Sequence, residues 1–147
     1  MATATLQTEI EINATPERVW EILTDFAAFP QWNPFIIEME GKPVIGTRLK
    51  ARIKPEGGSA MTFTPTVLAA TPNREFRWLG RFLIPGLMDG EHRFAIESSG
   101  AESVRFIQEE TFRGILVSFF LRQMRAGTLA GFEAMNRALK ARAEEKI

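Results

Sequence analysis

The feature that most constrains the fold is a proline-free stretch near the carboxyl end, residues 114–146. Its apolar residues recur at steps of three, four and seven, which places them along one side of a helix. These residues are Leu121, Met124, Gly131, Met135 and Leu139. At about 1.5 Å per residue, such a helix is about 45 Å long. It is therefore too long for one side of a small bundle and long enough to cross a whole curved sheet.

Two glycines, Gly127 and Gly131, lie one turn apart within this predicted helix. A glycine in a helix interior costs about 1 kcal/mol relative to alanine. Two glycines on adjacent turns therefore predict that another part of the chain comes close to the helix at this point.

The residues before the helix alternate between apolar and polar in short runs, which predicts strands. The first strand, residues 5–12, precedes a helix that Thr15 caps, Pro16 begins and Pro30 ends. An aromatic segment at residues 28–35 predicts a second short helical turn. The further strands are expected at residues 35–39, 47–54, 61–67, 76–82, 91–97 and 104–112.

Strands that follow one another through short turns form an antiparallel sheet, and only the long helix can cover its apolar face. We therefore predict an α+β fold in which a curved seven-stranded antiparallel sheet wraps around a long C-terminal helix. Two short helices follow the first strand. Pro65 lies within a predicted strand, where it favours a bulge or a sheet edge. The length of 147 residues predicts a single domain, residues 1–147.

Composition excludes several classes of function. Eighteen basic and eighteen acidic residues cancel without a basic block, so no nucleic-acid partner is expected. The absence of cysteine excludes disulfides, thiolate metal sites and cysteine nucleophiles. Without a long apolar run or a signal peptide, we expect a cytoplasmic protein with no stable membrane insertion. The sequence leaves a monomer and a dimer equally open.

The order of elements resembles the helix-grip fold of the SRPBCC superfamily. This superfamily includes polyketide cyclase and dehydrase-like proteins, START lipid-transfer domains and the major birch-pollen allergen. The resemblance rests on ATPERVW at residues 14–20, FPQWNPF at 29–35, FTPTV at 63–67, GEHRF at 90–94, ETFRG at 110–114 and NRALK at 136–140. It implies a hydrophobic cavity between the sheet and the terminal helix, used for lipids, sterols, polyketides or other apolar molecules. Its members include enzymes, carriers and sensors, and this chain lacks the tyrosines on which polyketide cyclases in places rely.

His92 is the only histidine in the chain. Alternation along its strand places it with Phe94 and Ile96 on the concave face of the sheet. It is a candidate hydrogen-bonding anchor or general base in the cavity. The alternative is a half-buried histidine bonded to a neighbouring strand or loop. One histidine among scattered carboxylates lacks the ligand spacing of a metal site, so no metal ion is expected.

Glu110 and Gln108 interrupt an otherwise apolar strand face that includes Phe106 and Phe112. Burying an unpaired carboxylate is costly, so Glu110 must be paired, hydrated or protonated. It is therefore a candidate ligand contact and a candidate catalytic acid or base. The alternative is an ion pair at a sheet edge with Arg48, Arg52 or Arg105.

One helix that contains two glycines cannot fill all the space against a wide bent sheet. We expect aromatic side chains to line the space that remains. For any single ring, ordinary core packing is the competing interpretation. The predicted ligand-binding residues are Trp32, Phe63, Trp78, Phe82, His92, Phe94, Phe106, Gln108, Glu110, Met124, Gly127, Gly131, Phe132 and Met135. Residues 84–90 are a candidate lid at the cavity mouth, or else a loop packed on the end of the helix.

These patterns favour a binding module that holds a small hydrophobic or amphipathic molecule, lipid-, polyketide- or sterol-like, in an internal cavity. One alternative is an enzyme of the polyketide cyclase or dehydratase type, in which Glu110 or His92 moves a proton. Another is a protein-interaction module that works through its outer surface, as some co-chaperone relatives do. The sequence has no phosphate loop and no dinucleotide fingerprint, so no cofactor is expected.

Overall fold

The computed structural model describes residues 2–81 and 84–145. Over these ranges the chain forms an α+β fold with a long C-terminal helix, as predicted. The elements in chain order are β1 (Ala2–Ile12), α1 (Pro16–Thr24), a 3-10 turn (Phe26–Ala28), α2 (Phe29–Trp32), β2 (Ile36–Glu40), β3 (Lys50–Ile53), β4 (Met61–Phe63), β5 (Thr66–Thr71), β6 (Glu75–Arg81), β7 (Asp89–Gly100), β8 (Ser103–Gly114) and α3 (Val117–Ala143).

The strands form two antiparallel sheets, and the prediction of a single seven-stranded sheet is wrong in this respect. A five-stranded sheet has the order β1-β8-β7-β6-β5, and a three-stranded sheet has the order β2-β3-β4. The predicted strand 61–67 is divided at Pro65 into β4, which pairs with β3, and β5, which pairs with β6. Proline has no backbone N–H to donate to a ladder. The Pro65 carbonyl still accepts from Leu49 N at 2.8 Å, and an Arg48–Thr66 bridge keeps the sheets adjacent.

The connection between β1 and β2 follows the predicted capping rules. Thr15 accepts a hydrogen bond from Arg18 N at 3.2 Å, and Pro16 occupies the first turn of α1. Val19 and Leu23 on α1 are buried in the core. Asn33 ends α2, and its side-chain oxygen accepts from the backbone N–H of the two residues that lead into β2.

Helix α3 begins at Val117, later than predicted, because β8 continues to Gly114. Gly114 has a φ of 143°, which only glycine adopts readily, and an added Cβ would clash with the carbonyl of Leu87. The second half of α3 is embedded in the core, where Phe132 is fully buried. The first half is half-exposed, and Phe119 shows 64% of its surface. No helix within the described ranges is long and apolar enough to cross a membrane.

The two helix glycines lie where the chain approaches α3, which confirms that prediction. A Cβ at Gly127 would lie 2.9 Å from the carbonyl oxygen of Glu56. A Cβ at Gly131 would lie 2.5 Å from the ring of Phe35, which packs edge-on against Phe132 with a centroid distance of 5.4 Å. Gly131 therefore brings the helix down onto the aromatic core, and α3 leaves space above the sheet nearer its beginning.

Candidate ligand-binding cavity

A cavity of about 380 Å³ lies between the first half of α3 and the strands on both sides of the Pro65 break. Its wall is overwhelmingly apolar, because the inward-facing positions of these elements carry rings, methionines and aliphatic chains. The apolar side chains that line it are Phe35, Ile53, Pro55, Met61, Phe63, Pro65, Trp78, Met88, Phe112, Leu116, Phe119, Phe120, Met124 and Phe132. Such a lining favours an apolar molecule by area and shape.

Part of the wall has no side chain at all. Gly80 on β6 and Gly90 on β7 are direct cross-strand partners, and both line the cavity. At Gly80 an added Cβ would make only ordinary contacts, the nearest at 3.8 Å to Pro65. At Gly90 it would lie 2.5 Å from Oε1 of Glu110. The carboxylate of Glu110 therefore occupies space that a side chain at position 90 would need.

One acidic and one basic side chain meet in this wall. His92 on β7 and Glu110 on β8 are cross-strand partners, and Nδ1 of His92 is in direct contact with Oε2 of Glu110. The His92 side chain is 1% exposed, whereas that of Glu110 is 17% exposed. Both residues line the cavity, with the carboxylate on the open side and the imidazole behind it.

The imidazole of His92 lies in an aromatic box. It stacks on Phe94 with ring centroids 4.3 Å apart and meets Trp78 and Phe132 at 5.2 and 5.1 Å. Because these rings exclude water, the polar partners of His92 must come from the protein. The box also fixes the orientation of the ring, so that its two nitrogens face two different partners.

The second nitrogen of His92 enters a buried chain of amides. Nε2 of His92 lies 2.9 Å from Oε1 of Gln108, which is fully buried. The amide nitrogen of Gln108 donates to Oδ1 of Asn136 at 2.9 Å and to the carbonyl of Phe132 at 3.4 Å. The amide nitrogen of Asn136 in turn donates to Oγ1 of Thr8 at 2.8 Å. Polar side chains thus connect β1, β8 and α3 to the cavity wall.

Six of the predicted ligand-binding residues line this cavity: Phe63, Trp78, His92, Glu110, Met124 and Phe132. Seven of the others lie elsewhere. Phe94, Phe106, Gln108 and Met135 share the predicted faces but are fully buried at the end where α3 rests on the sheet. Gly127 and Gly131 face Glu56 and Phe35. Trp32 packs edge-on against Phe29 in α2, with centroids 5.4 Å apart, and Phe82 lies outside the described residues.

The predicted alternative for Glu110, an ion pair with an arginine, is wrong, since its partner is His92. Arg105 alternates to the outer face of β8 and pairs with Glu9 at 3.0 Å and Glu97 at 3.6 Å. The other two arginines make long hydrogen bonds to threonines across the hairpin: Arg48 to Thr64 at 3.3 Å and Arg52 to Thr62 at 3.4 Å.

The segment predicted as a lid packs against the junction between β8 and α3. The backbone N–H of Leu116 donates to the carbonyl of Leu87 at 3.0 Å, and that of Ile115 donates to Gly86 at 3.3 Å. Within this segment Met88 and Gly90 line the cavity. These contacts correspond to the predicted alternative of a loop packed on the helix end.

Sequence reasoning missed several lining residues. Leu116, Phe120 and Gln123 follow helical spacing, so the periodicity that identified the later turns of α3 would also have found these earlier ones. Arg81 lines the cavity near its opening and is paired with Asp89 at 3.9 Å. Within the described ranges, no group of three or more His, Asp or Glu residues could hold a metal ion.

The chain belongs to the polyketide cyclase / dehydrase and lipid transport family, whose sequence profile matches residues 3–144. This places it among the START-like proteins of the SRPBCC superfamily, in agreement with the predicted resemblance. No curated protein matches the sequence significantly.

Solved structures share the fold at low sequence identity. The ZhuI aromatase/cyclase from Streptomyces sp. R1128 superposes with a TM-score of 0.78 at 16% identity, covering 97% of this chain and 94% of that one. A START superfamily protein from Mycobacterium smegmatis gives 0.71 at 23%, covering 95% and 97%. The di-domain aromatase/cyclase BexL from the BE-7585A biosynthetic pathway gives 0.78 at 15%, covering 99% of this chain. This chain spans 51% of the length of BexL.

Proposed function

We propose that this protein binds a small hydrophobic or amphipathic molecule in the cavity between α3 and the sheet. The observation that carries the proposal is a mostly apolar cavity of about 380 Å³ whose wall contains the His92–Glu110 pair. Cavities of roughly 300–1,000 Å³ with apolar walls and a few placed polar groups are typical of small-molecule sites. The family description, which includes lipid transport, also supports an apolar ligand.

The proposed contacts have two roles: some provide apolar contact area, and one orients the ligand. Phe63, Trp78, Met124 and Phe132 offer apolar surface on different sides of the cavity. Among the described residues, Glu110 is the one carboxylate in the cavity lining, and it would orient the polar end of an amphipathic ligand. An interaction module working through its outer surface would not require a cavity of this size.

Binding can be tested with N-phenylnaphthylamine, a neutral apolar fluorophore whose emission rises in apolar surroundings. Gly80→Val adds side-chain volume to the cavity wall, and its Cβ meets nothing closer than 3.8 Å. We expect it to weaken binding of the fluorophore at least about tenfold, the equivalent of about 1.4 kcal/mol. Thr111→Val, on the outer face of β8, is the matched control and should leave binding unchanged.

A cavity ligand is excluded if wild type and Gly80→Val bind the fluorophore equally while both remain folded. Native mass spectrometry of protein purified from cells gives an independent readout. A retained apolar passenger that is lost in Gly80→Val but kept in Thr111→Val would identify the natural ligand class.

A second candidate function is catalysis, and the observation that favours it is the contact between His92 and Glu110. A carboxylate on the open side with an imidazole behind it can accept a proton from a ligand and return it, as a cyclase or dehydratase requires next to a carbonyl. Glu110→Gln keeps size and shape but cannot carry the proton. An enzyme would lose turnover in this variant and keep ligand affinity, whereas a binding protein would show no turnover to lose.

A further inference from the structure

We infer that the buried amide chain fixes His92 with Nε2 protonated, so that the His92–Glu110 pair holds one shared proton. The cavity would then select a neutral ligand that donates a hydroxyl hydrogen bond, and would reject carboxylates. This inference rests on the proposed binding function and specifies the ligand class of the same site.

The orientation of the Gln108 amide is the first step. A backbone carbonyl accepts hydrogen bonds and cannot donate them. The atom of Gln108 that lies 3.4 Å from the Phe132 carbonyl must therefore be its amide nitrogen, which also donates to Asn136. The oxygen of Gln108 is left facing His92, at 2.9 Å from Nε2. Because that oxygen accepts only, Nε2 must carry a hydrogen.

The number of protons that His92 and Glu110 hold together follows from this orientation. With Nε2 protonated, the contact between Nδ1 and Oε2 of Glu110 needs one hydrogen, since an unprotonated nitrogen and a carboxylate would both be acceptors. That hydrogen lies on Nδ1 in an imidazolium–carboxylate pair or on Oε2 in a neutral pair. Either way the two residues together have no net charge.

The free oxygen of Glu110 determines what the ligand must offer. Oε2 is committed to His92, and Oε1 lies beside Gly90 in the cavity wall. Oε1 accepts hydrogen bonds in both proton arrangements, as a carboxylate oxygen or as the carbonyl oxygen of a carboxylic acid. An alcohol, phenol or enol can donate to it. A ligand carboxylate would meet a second acceptor and would have to enter as its neutral acid.

Other charged groups around the cavity do not reverse this preference. Among the described residues, Arg81 is the one cation that lines the cavity, and it is half-exposed and paired with Asp89. The polar side chains that α3 contributes, Gln123 and Thr128, are neutral. A carboxylate ligand would therefore meet no buried cation to replace the water that it loses.

The tautomer can be measured directly because His92 is the only histidine. Nitrogen NMR of protein with isotope-labelled histidine gives one pair of ring signals. We expect Nε2 to carry a hydrogen in the folded protein. An unprotonated Nε2 with protonated Nδ1 would overturn the inference, whatever the ligand results.

Ligand selection can be measured with three probes that share one ring system: β-naphthol, naphthalene and β-naphthoate. Near neutral pH we expect β-naphthol to bind about tenfold more tightly than naphthalene, as one hydrogen bond allows. We expect β-naphthoate to bind more weakly than both and to gain affinity as the pH falls toward its own pKa. Equal binding of naphthoate and naphthol would overturn the selection.

Two substitutions locate the effect at Glu110. Glu110→Leu should abolish the preference for naphthol over naphthalene but should still bind naphthalene. Thr111→Val, on the outer face of β8 and away from the cavity lining, is the matched control and should keep the preference. If naphthalene itself fails to bind, or binds equally to Gly80→Val, the binding function is rejected. If naphthalene binds in the cavity but naphthol shows no Glu110-dependent gain, the inference alone is rejected.

Discussion

The carboxylate of Glu110 lies where a side chain at Gly90 would otherwise be, with Oε1 2.5 Å from the position of an added Cβ. The two residues are on adjacent strands, and a glycine at position 90 is what allows the Glu110 carboxylate to reach His92 and the cavity together. A glycine in a strand interior otherwise weakens the strand. Its presence here is explained by the position of the carboxylate.

Gly90→Ala should therefore displace Glu110 from His92 and destabilise the fold by about 1–3 kcal/mol, the cost of leaving a buried polar atom without its partner. Gly80→Ala is the matched control. It lies directly across from Gly90, has room for a Cβ, and should be neutral or stabilising by up to about 1 kcal/mol. Urea unfolding of both variants measures the difference. Equal stability would mean that Glu110 moves aside without loss of its partner.

Gly131→Ala should destabilise the protein although alanine is the better helix former. The gain in helix propensity is about 1 kcal/mol. Against it, the added Cβ would lie 2.5 Å from the buried ring of Phe35, and overpacking of a core costs about 1–3 kcal/mol. Because that ring is held edge-on by Phe132, we expect the upper end of this cost and a net loss of about 1–2 kcal/mol.

Thermal or urea unfolding of Gly131→Ala measures this loss. Ala126→Gly, at an exposed position of the same helix, isolates helix propensity and should cost up to about 1 kcal/mol. If Gly131→Ala stabilises the fold, the ring of Phe35 moves without cost, and the glycine has no packing role.

The face on which each polar residue lies could be predicted, because β7 and β8 are long and pair regularly past His92 and Glu110. Alternation alone then places both on the concave side. Their contact could not be predicted, because it depends on the register of the hairpin. A shift of one residue in that register would place other side chains opposite each other.

The extent of the cavity could not be predicted from the sequence pattern either. Phe94, Phe106 and Met135 share a face with lining residues, but alternation does not tell where along the sheet the helix makes contact and where it stands away. The division of the sheet at Pro65 follows from the missing N–H. The sequence predicts only a bulge or a sheet edge at this position, since a single proline does not reveal how the neighbouring strands pair.

Asn136 and Thr8 should be energetically coupled, because Asn136 donates to the Thr8 hydroxyl at 2.8 Å while also accepting from Gln108. Asn136→Leu leaves a buried Gln108 donor with fewer partners and should cost about 2–3 kcal/mol. Thr8→Val should cost about 1 kcal/mol. In the double variant, the loss in free energy of unfolding should be smaller than the sum of the two single losses. Each single variant already removes the hydrogen bond between Thr8 and Asn136, so the double variant loses it only once.

A double-mutant cycle in urea measures this coupling. Thr5→Val is the control for Thr8→Val, because it is an exposed threonine on the same strand, outside the amide chain. Additive losses for Thr8 and Asn136 would show that their contact contributes nothing to stability.

The last turn of α3 should lose stability in acid through Glu144. Hydrogen bonds from Lys140 at 2.6 Å and from the backbone N–H of Asn13 at 2.8 Å lower the pKa of Glu144 below its ordinary value. The folded state therefore favours the ionised carboxylate. Its contribution is fully present above the ordinary carboxyl pKa of about 4.3 and is lost as the pH falls through the lower folded value.

Glu144→Gln should remove this part of the acid dependence, so that wild type and variant converge in stability as the pH falls below about 4. Above that range, wild type should be more stable by about 0.5–1 kcal/mol, since the pair with Lys140 is near the surface. Urea unfolding across the acid range measures the convergence. Glu145→Gln, the exposed neighbour at the same helix end, is the control. A constant gap between wild type and Glu144→Gln at all pH values would mean that the carboxylate acts through packing and not through its charge.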